Sequence, residues 1–372
     1  MKIVSAEVVR PKPIALPSPW RPAWMEPDLV PVTTFDCSFY RLRTDDGITG
    51  IGPFTGASPD LVKGIDPTHI EAFFTEHMSG KRFRSANKGA SGLELALWDI
   101  VGKAAGLPVY RLLGCYRDRL PVYAATTRLL SAKEHVAQAI ELHKQGFKAI
   151  KFRMHRPTAD EDLAVLEAVH EAVGGKVALM VDANQNAPSR SYAHWDKRTA
   201  HRVARRLEEM NFAFLEEPLP HTDVDGLVHL AEKFDVPIAG GEGIPTVYDY
   251  APHIDRRAYD IIQPDVFLGG NYGITGLRKL AFLAEHRGID IMPHVTTGGL
   301  FSINLAATLQ AMATVPNCPM VEYCYDPPLL TSETQQPLVK NPLWIDADGC
   351  VKVPNLPGLG FELNEEWIAA RI

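Results

Sequence analysis

This sequence predicts an α/β fold, a parallel β/α barrel preceded by an α+β unit, and three observations predict it. From about residue 121 the chain alternates short apolar runs with longer amphipathic segments. PVYAATT, AIKFRM, ALMVDAN, FAFLEEP, PIAGGE, IIQPDV, IDIMPHV and MVEYCY make eight strand-like runs. Polar residues in successive runs (Lys151, Asp182, Glu216, Glu242, Asp265, His294 and Glu322) are separated by 31, 34, 26, 23, 29 and 28 positions, one β/α unit each. Asp182, Glu216 and Glu242 put carboxylates at the ends of three successive runs, and parallel strand ends converge on one rim.

The elements follow in order. Residues 1–120 lack this rhythm and read as an α+β unit. MKIVSAEVV and CSFYRLRTDDGITGIG are strand-like, with Asp45–Asp46–Gly47 as a hairpin turn. Between them IALPSPWRPAWMEPD, rich in proline and tryptophan, reads as an ordered loop. Residues 61–79 and 90–106 read as helices, the second ending on Gly106 as its C′ residue. Residues 121–326 form the barrel; TADEDLAVLEAVHEAVGG is typical of its helices, acidic early and closed by glycine. The eighth strand lacks a full helix. Residues 327–372 form a return in which LWIDADGCVKVP is a hairpin, expected to pack on the first unit.

Composition narrows the functional classes. The chain has 372 residues, enough for a barrel of about 250 residues plus an addition, and 46% are hydrophobic. With 38 basic and 45 acidic residues the net charge is −7, without basic tracts, so neither nucleic acid nor an anionic membrane is an expected partner. The five cysteines (Cys37, Cys115, Cys318, Cys324, Cys350) lack CxxC spacing and read as idle thiols in a reducing compartment. No signal-like start and no run of about 18 apolar residues occurs, so a cytoplasmic protein is expected.

The rim residues suggest a chemistry. Asp182, Glu216 and Glu242 are hard oxygen donors that suit Mg²⁺, whose octahedral shell at about 2.0–2.1 Å leaves positions for substrate oxygens. Strand alternation sends Glu216 and Glu217 to opposite faces, so one of the two is the ligand. His294 beside Asp265 forms a base whose tautomer is fixed by a carboxylate. Glu322, on the last strand, is placed to exchange a proton opposite the metal. Lys151, Arg153 and His155 alternate onto one face of the second strand, where a cation neutralises a substrate carboxylate. Trp20, Arg21, His155 and Asn184 are the expected substrate contacts, with Trp24 and Met25 in the same cap loop and GPFTGASP as a second wall.

KAIKFR, VDAN, FLEEP, GGE, QPD and MPH, in this order, resemble the enolase superfamily, in particular its mandelate racemase subgroup. The likeness extends to TDDGITGIG and ALWDIVGKAAGLPVYRLLG before the barrel and to PGLGFELNEE after it, and so covers nearly the whole chain. It implies a modified TIM barrel, (β/α)7β, under an α+β N-terminal capping domain, assembled as a homo-oligomer. It further implies Mg²⁺ on Asp182, Glu216 and Glu242. His294 with Asp265 would be the base that abstracts the proton α to a carboxylate, Lys151 would polarise that carboxylate, and Glu322 would hydrogen-bond the enediolate.

One position departs from the resemblance. The second-strand motif is commonly Lys-x-Lys, its second lysine being a base; here it is Lys151-Phe152-Arg153. A guanidinium, with a pKa above about 12, is a poor proton acceptor. Racemisation needs a base on both faces, whereas β-elimination needs only His294. The expected reaction is therefore dehydration of a sugar acid, an aldonate or aldarate, to a 2-keto-3-deoxy acid. The alternative is a racemase, epimerase or lactone cycloisomerase working through the same enediolate. QPDVFLGGNYG has no lysine and VEYCY no Asp-x-Asp, which sets aside cycloisomerisation of muconate and epimerisation of dipeptides.

Overall fold

The computed structural model describes residues 1–79, 89–186, 194–268 and 272–372. The cap opens with β1 (Ile3–Val9), β2 (Ile14–Trp20), β3 (Val32–Phe35), β4 (Phe39–Thr44) and β5 (Thr49–Pro53). β1, β4 and β5 form an antiparallel sheet, and the β4–β5 hairpin turns at Gly47 in a left-handed conformation (φ 86°). IALPSPW is a strand, not the expected loop: β2 pairs antiparallel with β3 across a register break between Ala15 and Trp20. Prolines are tolerated there because the ribbon has only two strands and each has a free edge.

The single helix expected over 61–79 is split into a 3₁₀ turn at Pro59–Val62 and α1 (Ile70–His77). The pair Gly64 (φ 78°) and Pro67 interrupts it. α2 (Ser91–Ala105) ends at Gly106 as expected, with φ 66°. α2 lies directly on β5; a Cβ on Gly52 would sit 1.9 Å from the Gly92 carbonyl oxygen, so this contact admits no side chain. GPFTGASP spends its polar groups on this contact: Thr55 Oγ1 donates to the Gly89 carbonyl and accepts from Gly92 N. α3 (Val109–Leu112) leads into the barrel.

All eight expected strands are present: β6 (Arg119–Ala125), β7 (Ala149–Arg153), β8 (Ala178–Asp182), β9 (Phe214–Glu216), β10 (Ile238–Gly240), β11 (Ile261–Ile262), β12 (Asp290–Ile291) and β13 (Val321–Cys324). They run in sheet order β12-β11-β10-β9-β8-β7-β6-β13, all pairs parallel. Between β12 and β13 the ring is joined by side chains: Val295 N donates to Glu322 Oε2 and the Cys324 thiol to the Val295 carbonyl. α4 (Ala132–Lys144), α5 (Ala159–Val173), α6 (Lys197–Glu209), α7 (Val224–Lys233), α8 (Ala251–Asp255), α9 (Gly273–His286) and α10 (Phe301–Met312) make the outer layer. α4 starts in a capping box of Ser131 and Glu134, and α5 on Thr158 with three acidic residues in its first turn. The chain is thus an α/β protein, a modified (β/α)7β barrel with an α+β cap.

After β13 comes only a short helix, α11 (Ser332–Gln335). The following hairpin closes by the Ile345–Val351 bridge, and β14 (Cys350–Lys352) pairs antiparallel with β6. The hairpin therefore rests on the barrel rather than on the cap. Contacts with the cap come from residues after it: Leu359 N donates to Asp99, Glu365 of α12 (Glu365–Ala369) pairs with Arg41 at 2.8 Å, and Lys12 N donates to the Arg371 carbonyl. All five cysteines are free thiols, and no helix among the described residues is long and apolar enough to cross a membrane.

Candidate active site

Register brings the expected residues to one rim. Arg153 lies opposite Asp182, and Asp182 opposite Glu216, on the adjoining ends of β7, β8 and β9. Lys151, Asp182, Glu216 and Glu322 are wholly buried. A burial this deep demands partners for every charge. Lys151 Nζ lies 2.7 Å from Glu216 Oε2 and 3.0 Å from Glu322 Oε1. Arg153 donates through NH1 to Asp182 Oδ2 and, at 3.3 Å, to Asn184 Oδ1; its Nε donates to the Thr126 carbonyl at 3.0 Å.

The expected dyad is formed. His294 Nδ1 is 2.7 Å from Asp265 Oδ2, while Asp265 also accepts from Thr296 N and Oγ1 and from Phe267 N and Leu268 N. Those bonds leave the carboxylate one orientation, which makes Nδ1 the protonated nitrogen and leaves Nε2 as the basic one. Nε2 faces Glu242 Oε2 at 3.3 Å and Glu322 Oε2 at 4.0 Å. Burial alone would lower the His294 pKa, but Glu242, Glu322 and Asp265 outweigh it and raise it to about 10. For Glu322 burial acts upward, and Lys151, His294 and Arg153 overcome it to bring the carboxyl down to about 2.

The three carboxylates expected to hold a metal share this rim, but each leans on a cation rather than on the other two. Among the described residues no three acidic, cysteine or histidine side chains are gathered as a ready-made ligand sphere. The chemistry of the set nevertheless fits a hard divalent cation. Glu216 Oε1 is buried with no hydrogen-bond partner among the described residues. Asp182 is raised to about 7 by burial and by Glu216, and Glu242 is raised by burial despite the neighbouring His294. Buried oxygens whose negative charge is only partly offset are what such an ion coordinates.

Other expected contacts fall differently. His155 is buried beside Arg153 and Asn184, and burial with that guanidinium lowers it to about 3, so it is a neutral imidazole. Asn184, in a left-handed conformation (φ 44°), is held by Arg153. The Trp20 indole is buried, and its N–H is spent on Thr127 Oγ1. Arg21 is exposed and donates to the Glu26 and Leu29 carbonyls of its own loop. Trp24 is the cap aromatic that reaches the rim, its ring 4.7 Å from the Arg153 guanidinium carbon.

Sequence reasoning passed over two residues here, and strand alternation misjudged a third. Gln263, in the QPD run, donates to Glu216 Oε2 at 3.0 Å. Thr296, two residues past His294, fixes Asp265. Glu217 departs from strand alternation by its left-handed backbone (φ 47°) and is itself buried, its carboxyl pushed well up by burial and by Glu242, Asp182 and Glu216. Gln263 opens the QPD run and Thr296 lies two residues past MPH; Glu217 entered the sequence reading only as the alternative to Glu216, and its backbone angle is not written there.

Known proteins resemble this chain in sequence and in fold. The family described as "Enolase C-terminal domain-like" matches residues 134–367, and "Mandelate racemase / muconate lactonizing enzyme, N-terminal domain" matches residues 22–114. L-Talarate/galactarate dehydratase of Salmonella typhimurium is 30% identical over 355 residues, covering 90% of this chain and 82% of that one. The 3,6-anhydro-alpha-L-galactonate cycloisomerase of Streptomyces coelicolor is 30% identical, covering 89% and 90%. A crystal structure of L-talarate dehydratase from Polaromonas sp. JS666, complexed with Mg and L-glucarate, superposes with a TM-score of 0.81 at 29% identity, covering 100% of this chain and 97% of that one.

Proposed function

The chain belongs to the mandelate racemase/muconate lactonizing enzyme family of the enolase superfamily, and from that premise we propose that it is a magnesium-dependent sugar-acid dehydratase. The observation that carries this reading is an asymmetry between the two sides of the rim. His294 Nε2, oriented by Asp265 through Nδ1, faces Glu242, whose charge favours the protonated imidazole; a cation held on Glu242 would withdraw that pull and free Nε2 to take a proton. Across from it Arg153 is a permanent cation fixed on Asp182, Asn184 and Thr126 and covered by Trp24, and it has no proton-accepting role. One base supports elimination better than it supports inversion, which needs two.

In this reading Asp182, Glu216 and Glu242 hold Mg²⁺, which supplies positive charge to a substrate carboxylate as its α-carbon loses a proton. His294 removes that proton and returns it to the departing 3-hydroxyl, so that water leaves. Lys151, buried between Glu216 and Glu322, adds a fixed cation at the developing enediolate. Glu322 keeps Lys151 in place. The 30% identity with a talarate/galactarate dehydratase supports a sugar acid, an aldarate in particular, as substrate.

The test is a screen of the purified protein with Mg²⁺ against acid sugars, with semicarbazide to detect 2-keto products and NMR in D₂O in parallel. A 2-keto-3-deoxy product is expected. Deuterium entering the α-carbon without loss of water would overturn dehydration in favour of racemisation or epimerisation. A 2-keto product that appears equally with H294N would overturn the assignment of the base.

A further inference from the structure

A cap residue that no step of this chemistry uses is joined to two adjacent loops of the rim. Glu94, on α2, is wholly buried. Its carboxylate leaves the cap and sits on the first turn of α9: Oε2 accepts from Ile274 N at 3.1 Å, and Oε1 accepts from Thr275 N at 2.9 Å and Thr275 Oγ1 at 2.6 Å. Trp98 Nε1, one turn along α2, donates to the same Oε1 at 2.8 Å and steadies it. α9 has no side-chain cap of its own at Tyr272, so a residue 180 positions away takes that part. Gly273 makes room for it; at φ 54°, a Cβ there would lie 2.2 Å from Glu94 Oε2.

The turn that Glu94 holds is tied to two rim loops. Gly273 N donates to the Val266 carbonyl at 2.9 Å, one residue past Asp265. The Tyr272 hydroxyl donates to the Ile244 carbonyl, two residues past Glu242. The Tyr250 ring, 6.0 Å from that of Tyr272, donates its hydroxyl to Gly241 on the other side of Glu242 at 2.6 Å.

We propose that Glu94 is a positioning residue, which from the cap fixes the first turn of α9 and thereby sets the loops that carry Asp265 and Glu242. The roles of those two residues rest on the function proposed above; the mechanical coupling does not. Contact between cap and barrel is then part of the catalytic geometry, since release of this one carboxylate loosens the base dyad and a metal ligand together.

The variant E94Q tests this beside D99N. Asp99 is a buried carboxylate on the same helix whose bonds run to Ile51, Lys103 and Leu359 and not to the barrel rim. Amide hydrogen exchange, which needs neither metal nor substrate, is followed over residues 241–246, 265–268 and 272–275. In E94Q exchange speeds up about tenfold or more in all three stretches, as loss of hydrogen bonds to a buried charge implies, and D99N leaves 241–246 and 265–268 as in the wild type. On the substrate found by the screen, E94Q lowers kcat about 10–100-fold with KM within about twofold, the pattern of a supporting group behind the reacting ones.

Faster exchange confined to 272–275, or a kcat no lower than that of D99N, would overturn the proposal. If no acid sugar is turned over, the exchange measurement alone decides the coupling. T275V, which removes only the hydroxyl donor, gives a smaller effect of the same pattern should E94Q fail to fold; wild-type exchange in T275V would count against the proposal.

Discussion

Two groups of buried carboxylates stand at the strand ends of this barrel, and they differ in how completely they are satisfied. Asp326, just beyond β13, accepts six hydrogen bonds, from Thr127 N and Oγ1, Arg128 N, Nε and NH2, and Gln138 Nε2. Those donors overcome its burial and hold its pKa below the usual carboxylate range. Asp182 and Glu242 are instead pushed up, and Glu216 and Glu217 each keep a buried oxygen with no partner among the described residues. A carboxylate whose lone pairs are all used is architecture; the under-satisfied ones, Asp182, Glu216 and Glu217 buried as deeply and Glu242 partly exposed, are where chemistry is expected.

The contrast is tested first where the effect is greatest. H294N removes the base without disturbing the oxygen donors, so turnover falls roughly 10²–10⁴-fold while calorimetric Mg²⁺ binding persists. E216Q takes away a donor and loses Mg²⁺ binding and turnover together. Retained Mg²⁺ affinity in E216Q would place the ion elsewhere. D326N does the reverse, removing about 3–5 kcal/mol of stability in denaturant titration as a buried ion pair is broken, with Mg²⁺ affinity unchanged. An equal loss of metal binding in D326N would erase the distinction between the two groups.

A smaller effect separates structural from catalytic histidines. His135 Nε2 accepts from Leu130 N at 3.1 Å, so its proton lies on Nδ1, 3.1 Å from Gln138 Oε1. Burial lowers its pKa from 6.5 to about 4. Between those values the unfolded chain binds the extra proton and the folded one does not, so this stabilising term is complete above pH 6.5 and is lost as pH falls toward 4. The advantage of wild type over H135Q should shrink by roughly 3 kcal/mol across that interval in urea titrations at each pH. A constant difference would refute the assignment. The smallest change is expected of R153K: turnover drops a few-fold, and α-deuterium exchange appears because a lysine can act as the second base.

The strands and the rim were legible because each rests on a local pattern, an apolar run ended by a polar residue at a regular interval. Contacts across long separations were not. Trp20 reads as a substrate contact until its indole is found 107 positions away on Thr127. Arg21 reads as a substrate cation until its guanidinium is found bracing its own loop. β2 was hidden by prolines that only an edge ribbon accommodates, and Glu217 by a backbone angle that strand alternation does not anticipate. Asp182, Glu216 and Glu242 fall at the expected strand ends, while their engagement with Lys151, Arg153 and His294 depends on side-chain directions that no spacing encodes.

The loop that Arg21 braces also bears on descent. It hangs from the barrel at Thr127, through the Trp20 indole and the bond from Ala23 N to the Thr127 carbonyl, and it holds its own shape through Glu26 and Leu29. Val30, near its end, is 84% exposed, so mutation there disturbs no packed neighbour. A lip so anchored can be altered at its exposed residues without disturbing the strand ends beneath it. The outer residues of this loop are thereby freer to vary than the strand ends beneath it, whose side chains are buried and paired.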